Sequence, residues 1–170
     1  MNKTPLLLAV LLGSTLLASH ADARERSRTV QRTAHGGSVA VDRSNPRFDS
    51  QRQRNWQADG QGNASGARSG SAAGAYGGHA GYQQSAYRNA DGSAGRQGSA
   101  HANGRYGGSG STRGALARDA DGNVNGARST NATGANGNHY SGSTTMSDGT
   151  LVHTRSCTNA SGEAVACRGN

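Results

Sequence analysis

Hydrophobic residues along this chain form one continuous block and, far downstream, one alternating stretch. Leu6 to Leu17 is apolar except for Gly13, Ser14 and Thr15; Lys3 precedes it, and Ala21-Asp22-Ala23 follows with small residues where a signal peptidase reads them. A membrane anchor needs about 20 apolar residues followed by a stop-transfer cluster. The pattern therefore predicts a cleaved secretory signal over residues 1–23, with cleavage after Ala23 or Ala21. No later stretch is apolar enough to span a bilayer, so no transmembrane segment is expected after cleavage, and the location expected is secreted, periplasmic or cell-envelope.

Past the signal, large aliphatic residues and Phe are reduced to Val30, Val39, Val41, Phe48, Leu116, Val124, Leu151, Val152 and Val165. Such a chain cannot build an ordinary hydrophobic core, and basic chains this poor in apolar residues tend toward disorder. Helix is not expected over residues 59–138, because glycine recurs every three or four positions there and each costs about 1 kcal/mol against alanine. Strand alternation is visible near the C-terminus, where Leu151, His153, Arg155 and Cys157 fall on one face and Thr144, Thr145, Val152, Thr154 and Val165 supply β-branched residues. The segments 138–146, 151–157 and 163–168 predict a three-stranded meander.

Internal similarity organises the middle of the chain. Trp56-Gln57-Ala58-Asp59-Gly60 returns as Arg88-Asn89-Ala90-Asp91-Gly92 and as Arg118-Asp119-Ala120-Asp121-Gly122, with a degenerate copy at Thr158-Asn159-Ala160-Ser161-Gly162. Periods of about 30 residues mark repeating supersecondary units. Asp-Gly tolerates the positive φ that a two-residue hairpin turn demands, so each unit reads as two strands and two turns. Tyr76, Tyr106 and Tyr140 are placed to give one stacking aromatic per unit. The fold class that results is mostly β: an irregular antiparallel hairpin meander of low core content with a disordered N-terminal arm. Four regions follow, namely the signal at 1–23, a basic and largely disordered arm at 24–55, glycine-rich turn repeats at 56–137, and a disulfide-closed β-meander at 138–170.

Cysteine and charge add the chemistry. Cys157 and Cys167 flank the loop symmetrically about Gly162, and secretion favours their oxidation to a disulfide over a metal site with His153, for which no fourth ligand stands out. The chain carries a formal charge of +8. Much of it comes from Arg24, Arg26, Arg28, Arg32, Arg43, Arg47, Arg52 and Arg54, opposed in that arm only by Glu25, Asp42 and Asp49. Guanidinium grips phosphate and carboxylate bidentately, so these eight arginines are the candidate anionic-polymer site, with Phe48 and Trp56 close by. The partner classes admitted are acidic surface polysaccharide, lipid phosphate and, without sequence specificity, nucleic acid; self-association stays open. The plainer alternative is a solvated basic tail.

No catalytic constellation emerges. His35, His79, His101, His139 and His153 keep no constant spacing to a nucleophile or carboxylate, and no nucleophile elbow, zinc signature or phosphate loop is present. Asp121 to Gly126 matches half of a calcium loop, but Ala132 stands where the bidentate Glu is required. The chain therefore reads as non-enzymatic, with no cofactor and no metal. The stretch Asn138-His139-Tyr140-Ser141-Gly142-Ser143-Thr144-Thr145, then Asp148-Gly149, then Cys157 through Cys167 resembles the C-termini of uncharacterised, secreted Gly/Ser/Thr-rich repeat proteins of Gram-negative bacteria. That resemblance implies an envelope location and no activity. The expected role is structural or adhesive, with arginine-mediated binding of anionic polymer, including an antimicrobial action, as the alternative.

Overall fold

The computed structural model describes residues 24–167, and the signal expected over 1–23 lies outside them. Ten strands follow one another in a single antiparallel sheet whose spatial order is the order of the chain. They are β1 (Glu25–Thr33), β2 (Gly36–Asn45), β3 (Phe48–Ala58), β4 (Ala64–Gly74), β5 (His79–Arg88), β6 (Ala94–Asn103), β7 (Ser109–Arg118), β8 (Val124–Thr133), β9 (His139–Ser147) and β10 (Thr150–Thr158). Each strand touches only its neighbours in sequence. At about 4.8 Å per strand the sheet is about 43 Å wide.

A second layer is absent among the described residues, and no hydrophobic side chain there is buried. Leu151 remains 61% exposed and Val152 52%. Order comes instead from the backbone ladder and from hairpin loops that recur with unusual regularity. The amides of Asp59, Gly74, Asn89, Gly104, Asp119 and Gly134 each donate to the carbonyl four residues on, at Asn63, Gly78, Ser93, Gly108, Asn123 and Asn138. These closing pairs start fifteen residues apart. The thirty-residue similarity of the sequence is thus two modules of one strand and one loop each, with the loops emerging at opposite ends of the sheet.

Each loop holds three residues between its closing pair, a turn followed by a glycine in the left-handed region. Gly92 (φ 88°) and Gly122 (φ 95°) show the requirement: the third loop residue must reverse the chain with a positive φ that a side chain resists. The two-residue hairpin expected at every Asp-Gly forms only at Asp148-Gly149, where both residues have positive φ. Asp91 and Asp121 instead sit one place ahead of the left-handed glycine, because the side chains of Asn89 and Asp119 brace a wider loop by bonding Ser93 and Asn123. The Asn125-Gly126 pair, a dipeptide that favours turns, lies inside β8.

Two expectations about order change. Residues 24–55, expected as a largely disordered arm, run from just before β1 to within β3, and β1 to β3 are paired along their lengths. The expectation rested on missing core residues; a sheet stabilised by its ladder does not require them, and the arm's short alternation of Arg with Ser, Thr and Gln suits it to a strand. The third C-terminal strand is reduced to one bridge, Thr158 to Ala164, and one bond from the Val165 amide to the Cys157 carbonyl. In that register Val165 faces Cys157. The disulfide from Cys157 to Cys167, with a Cα separation of 5.3 Å, is made two residues beyond the facing position, and residue 168, the end of the expected strand, lies outside the described residues.

Strand glycines have their own role, opposite large side chains. A Cβ on Gly37 would lie 2.7 Å from the Trp56 indole, one on Gly70 2.7 Å from the Tyr82 ring, and one on Gly126 2.7 Å from Leu116. In a single layer the only way to cover a large side chain is to lay it across the neighbouring strand, and a missing Cβ makes the room.

Candidate functional site: an arginine face

Directly paired residues of antiparallel strands share a face, and residues two apart along a strand share it too. Applied along the ten registers, this rule separates the two faces by chemistry. One carries Arg26, Arg28 and Arg32 of β1, Arg43 of β2, and Arg52 and Arg54 of β3. The same face carries Arg68, Arg88, Arg96, Arg118, Arg128 and Arg155 from β4, β5, β6, β7, β8 and β10. Among strand arginines only Arg113 points the other way. The three strand-borne acids, Glu25, Asp42 and Asp49, all lie on the opposite face, which is mostly Ser, Thr, Asn, Gln and Ala, with His79, His101, His139, Tyr87 and Val152. No carboxylate of any strand shares the arginine face.

Of the eight arginines anticipated, six are therefore brought together; Arg47 lies in the β2–β3 turn and Arg24 precedes β1. The six from β4 onward were missed. They are scattered singly through glycine-rich sequence, and only strand register reveals that they point the same way.

Two pairs of arginines are directly opposed, Arg26 with Arg43 and Arg54 with Arg68. Like charges directly opposite in a sheet are destabilising. Neutral groups orient some of these guanidiniums: Arg68 Nε donates to Gln84 Oε1 at 2.7 Å, Arg128 Nε to Thr112 Oγ1 at 3.1 Å, and Arg118 to the Gly92 carbonyl at 2.9 Å. The Arg54 guanidinium lies 5.5 Å from the centre of the Trp56 ring. Their remaining N–H groups are left for solvent or a ligand.

An open trough of about 930 Å³, lined mostly by residues of this face, crosses β3 to β10. Gly66, Ala86, Gly98, Ala100, Gly114 and Gly126 are among its lining residues, with Arg54, Arg68, Arg96 and Arg128 beside Trp56, Leu116, Met146 and Leu151. A second shallow trough of about 830 Å³ is lined mostly by the opposite face, at Gln53, Asn55, Gln83, Gln97, Ser99 and Arg113, and shares Arg68, Gln84, Gly98, Gly114 and Arg128 with the first.

The loops form two distinct rims. At one end Asp59 accepts bonds from Asn63 and Gln61, Asp91 from Ser93, and Asp119 from Asn123. Those bonds, the side-chain ones foremost, hold all three carboxyls below their ordinary range. At the other end Tyr76 and Tyr106 are 72% and 73% exposed. The Arg105 guanidinium lies 5.2 Å from the first ring centre and 4.5 Å from the second. Tyr140, expected to act with them, instead lies in β9 along Gly142.

Among the described residues no three His, Cys, Asp or Glu side chains converge as metal ligands, and no helix is long and apolar enough to cross a membrane. His79 and His101 meet on the polar face at 6.4 Å between ring centres, while His139 and His153 bond to Thr133 and Thr144. The disulfide is consistent with a secreted or periplasmic location. No protein-family model matches the chain, and no significant match is found to a curated protein or to a solved structure.

Proposed function

We propose that this chain is a non-enzymatic secreted protein of the bacterial envelope or surface, with a structural and adhesive role, and that its arginine face makes the adhesive contact with anionic polymer. One observation carries the reading: twelve strand arginines share a face that holds no strand carboxylate, while the strand acids lie on the other. A sheet that needed charge only for solubility gains nothing from this segregation, and two directly opposed arginine pairs weaken it. The cost is offset when polyanion displaces condensed counterions from both partners. The regular hydrogen-bonded layer supplies a stiff, non-catalytic support for such a surface.

The test is binding of the disulfide-bonded protein to immobilised polyanion across a salt series. Affinity should fall steeply with salt, and Arg54→Gln or Arg68→Gln should lower the slope of log K against log salt by about 1 each. Arg113→Gln, on the opposite face, should leave the slope unchanged. Equal effects from all three substitutions, or binding indifferent to salt, would remove the arginine face from the function.

A further inference from the structure

We infer that the trough on the arginine face is a binding groove for an extended acidic polysaccharide, bearing uronate or sulfate groups, that lies across the strands. The inference rests on the anion-binding reading of this face and specifies its ligand. Three features select this ligand class.

The first is spacing. Among the arginines of this face that line the trough, Arg54 and Arg68 stand side by side on β3 and β4, and from Arg68 onward Arg96 and Arg128 follow on β6 and β8, every second strand, about 10 Å apart across the sheet. The unbroken run of pairs Arg68, Gln84, Gly98, Gly114, Arg128 keeps the outer two at one level. In an extended polysaccharide of two-fold conformation each ring advances about one strand spacing. Alternate rings then present their acid groups to the same side, which matches a cation at every second strand.

The second is the floor. Between the arginines Ala86 and Ala100 end in a methyl group, whereas Gln84 leans over Gly98 and the Arg128 stem lies against Gly114, so the low part of the floor is at the two alanines, where a sugar ring can approach the sheet. Trp56 stands at one end, where an aromatic face packs on the apolar face of a ring.

The third is what the trough omits. Single-stranded nucleic acid is held by successive aromatic platforms, and Trp56 is the only aromatic residue lining this trough.

The decisive experiment compares the disulfide-bonded protein with Ala86→Leu and Ala100→Leu, which raise the floor without changing any charge, and with Arg68→Gln/Arg128→Gln. The probes are polygalacturonate, a single-stranded oligonucleotide of equal total charge, and phosphatidylglycerol vesicles, read by titration at fixed salt. Polygalacturonate should bind at least tenfold tighter than the oligonucleotide; each floor substitution should weaken polygalacturonate several-fold and spare the oligonucleotide; the double arginine variant should weaken both. Circular dichroism of each variant checks that the sheet persists, and Ala86→Ser, which keeps the floor low, should bind as the parent does. Equal binding of all polyanions, unmoved by the floor substitutions, would overturn the groove while leaving anion binding by the face intact. Preference for the oligonucleotide or for vesicles would overturn it in favour of those ligands, and loss of salt-dependent binding altogether would take down both readings.

Discussion

The opposed arginines Arg54 and Arg68 give the sharpest quantitative prediction, because they act with opposite sign on stability and on binding. Their Cβ atoms sit across a strand pair at about 5 Å, and both side chains are exposed. Like charges directly opposite in a sheet cost about 0.2–1 kcal/mol. Screening at a Debye length of about 3 Å in 1 M salt should remove nearly all of it. The single variants Arg54→Gln and Arg68→Gln and the double variant form a cycle that cancels other losses, notably the Arg54 contact with Trp56 and the Arg68 bond to Gln84. Trp56 is the only tryptophan of the chain and shares a face with both arginines, so its fluorescence in a urea titration reports on this part of the sheet. The coupling should be unfavourable by about 0.2–1 kcal/mol at low salt and near zero in 1 M salt. With saturating polyanion the same cycle should change sign, since a bound anion is shared by both guanidiniums. A favourable or salt-independent coupling in the free protein would refute the claim that these side chains are unneutralised neighbours.

Further predictions follow from the glycine pairs, the loops and the disulfide. Gly95→Val should destabilise the β5–β6 hairpin by about 1–3 kcal/mol, because a Cβ there would lie 2.5 Å from the Tyr87 ring; Tyr87→Ser should recover part of the loss in the same urea assay. Asp59, Asp91 and Asp119 have depressed folded-state pKa values, so their contribution is fully present above the ordinary carboxylate range and fades as pH falls below about 4. Amide exchange at Gln61, Ser93 and Asn123, corrected for intrinsic pH dependence, should lose protection there, and Asp91→Asn should abolish the pH dependence of its own loop. Reducing the Cys157–Cys167 disulfide should release about 3 kcal/mol of loop constraint and uncover the end of the β10 edge that Ala164 and Val165 cap. Protection should then fall in β9 and β10 only, since every strand touches just its neighbours, and sedimentation should show concentration-dependent association that the oxidised protein lacks.

Much of the local structure was legible because it is local chemistry. Ala-Asp-Gly recurrences marked loops, and two turns with two strands per thirty residues is what the chain forms. Cys157 and Cys167 were close enough in sequence to pair across one loop. The order of the arm was not legible because burial is not its source, and residues 163–167 keep one bridge and one backbone bond in place of a strand because Cys167 pairs two residues past the position that faces Cys157.

The arginine face was not legible, for a reason of parity. A three-residue loop reverses the chain about a residue, so facing partners in β3 to β9 have the same odd or even number; a two-residue turn reverses it about a peptide bond and switches them. The turns at Ala34-His35, Pro46-Arg47 and Asp148-Gly149 are of the second kind, which is how odd-numbered Arg43 and Arg155 join even-numbered Arg54, Arg68, Arg96 and Arg128. Had every Asp-Gly made the two-residue hairpin that its residues favour, the same arginines would have been divided between the faces. Amino-acid order alone thus determined strand-forming segments, reversal points and total charge. The length of each loop, settled by side-chain braces and left-handed glycines in the paired sheet, decided on which side that charge would stand.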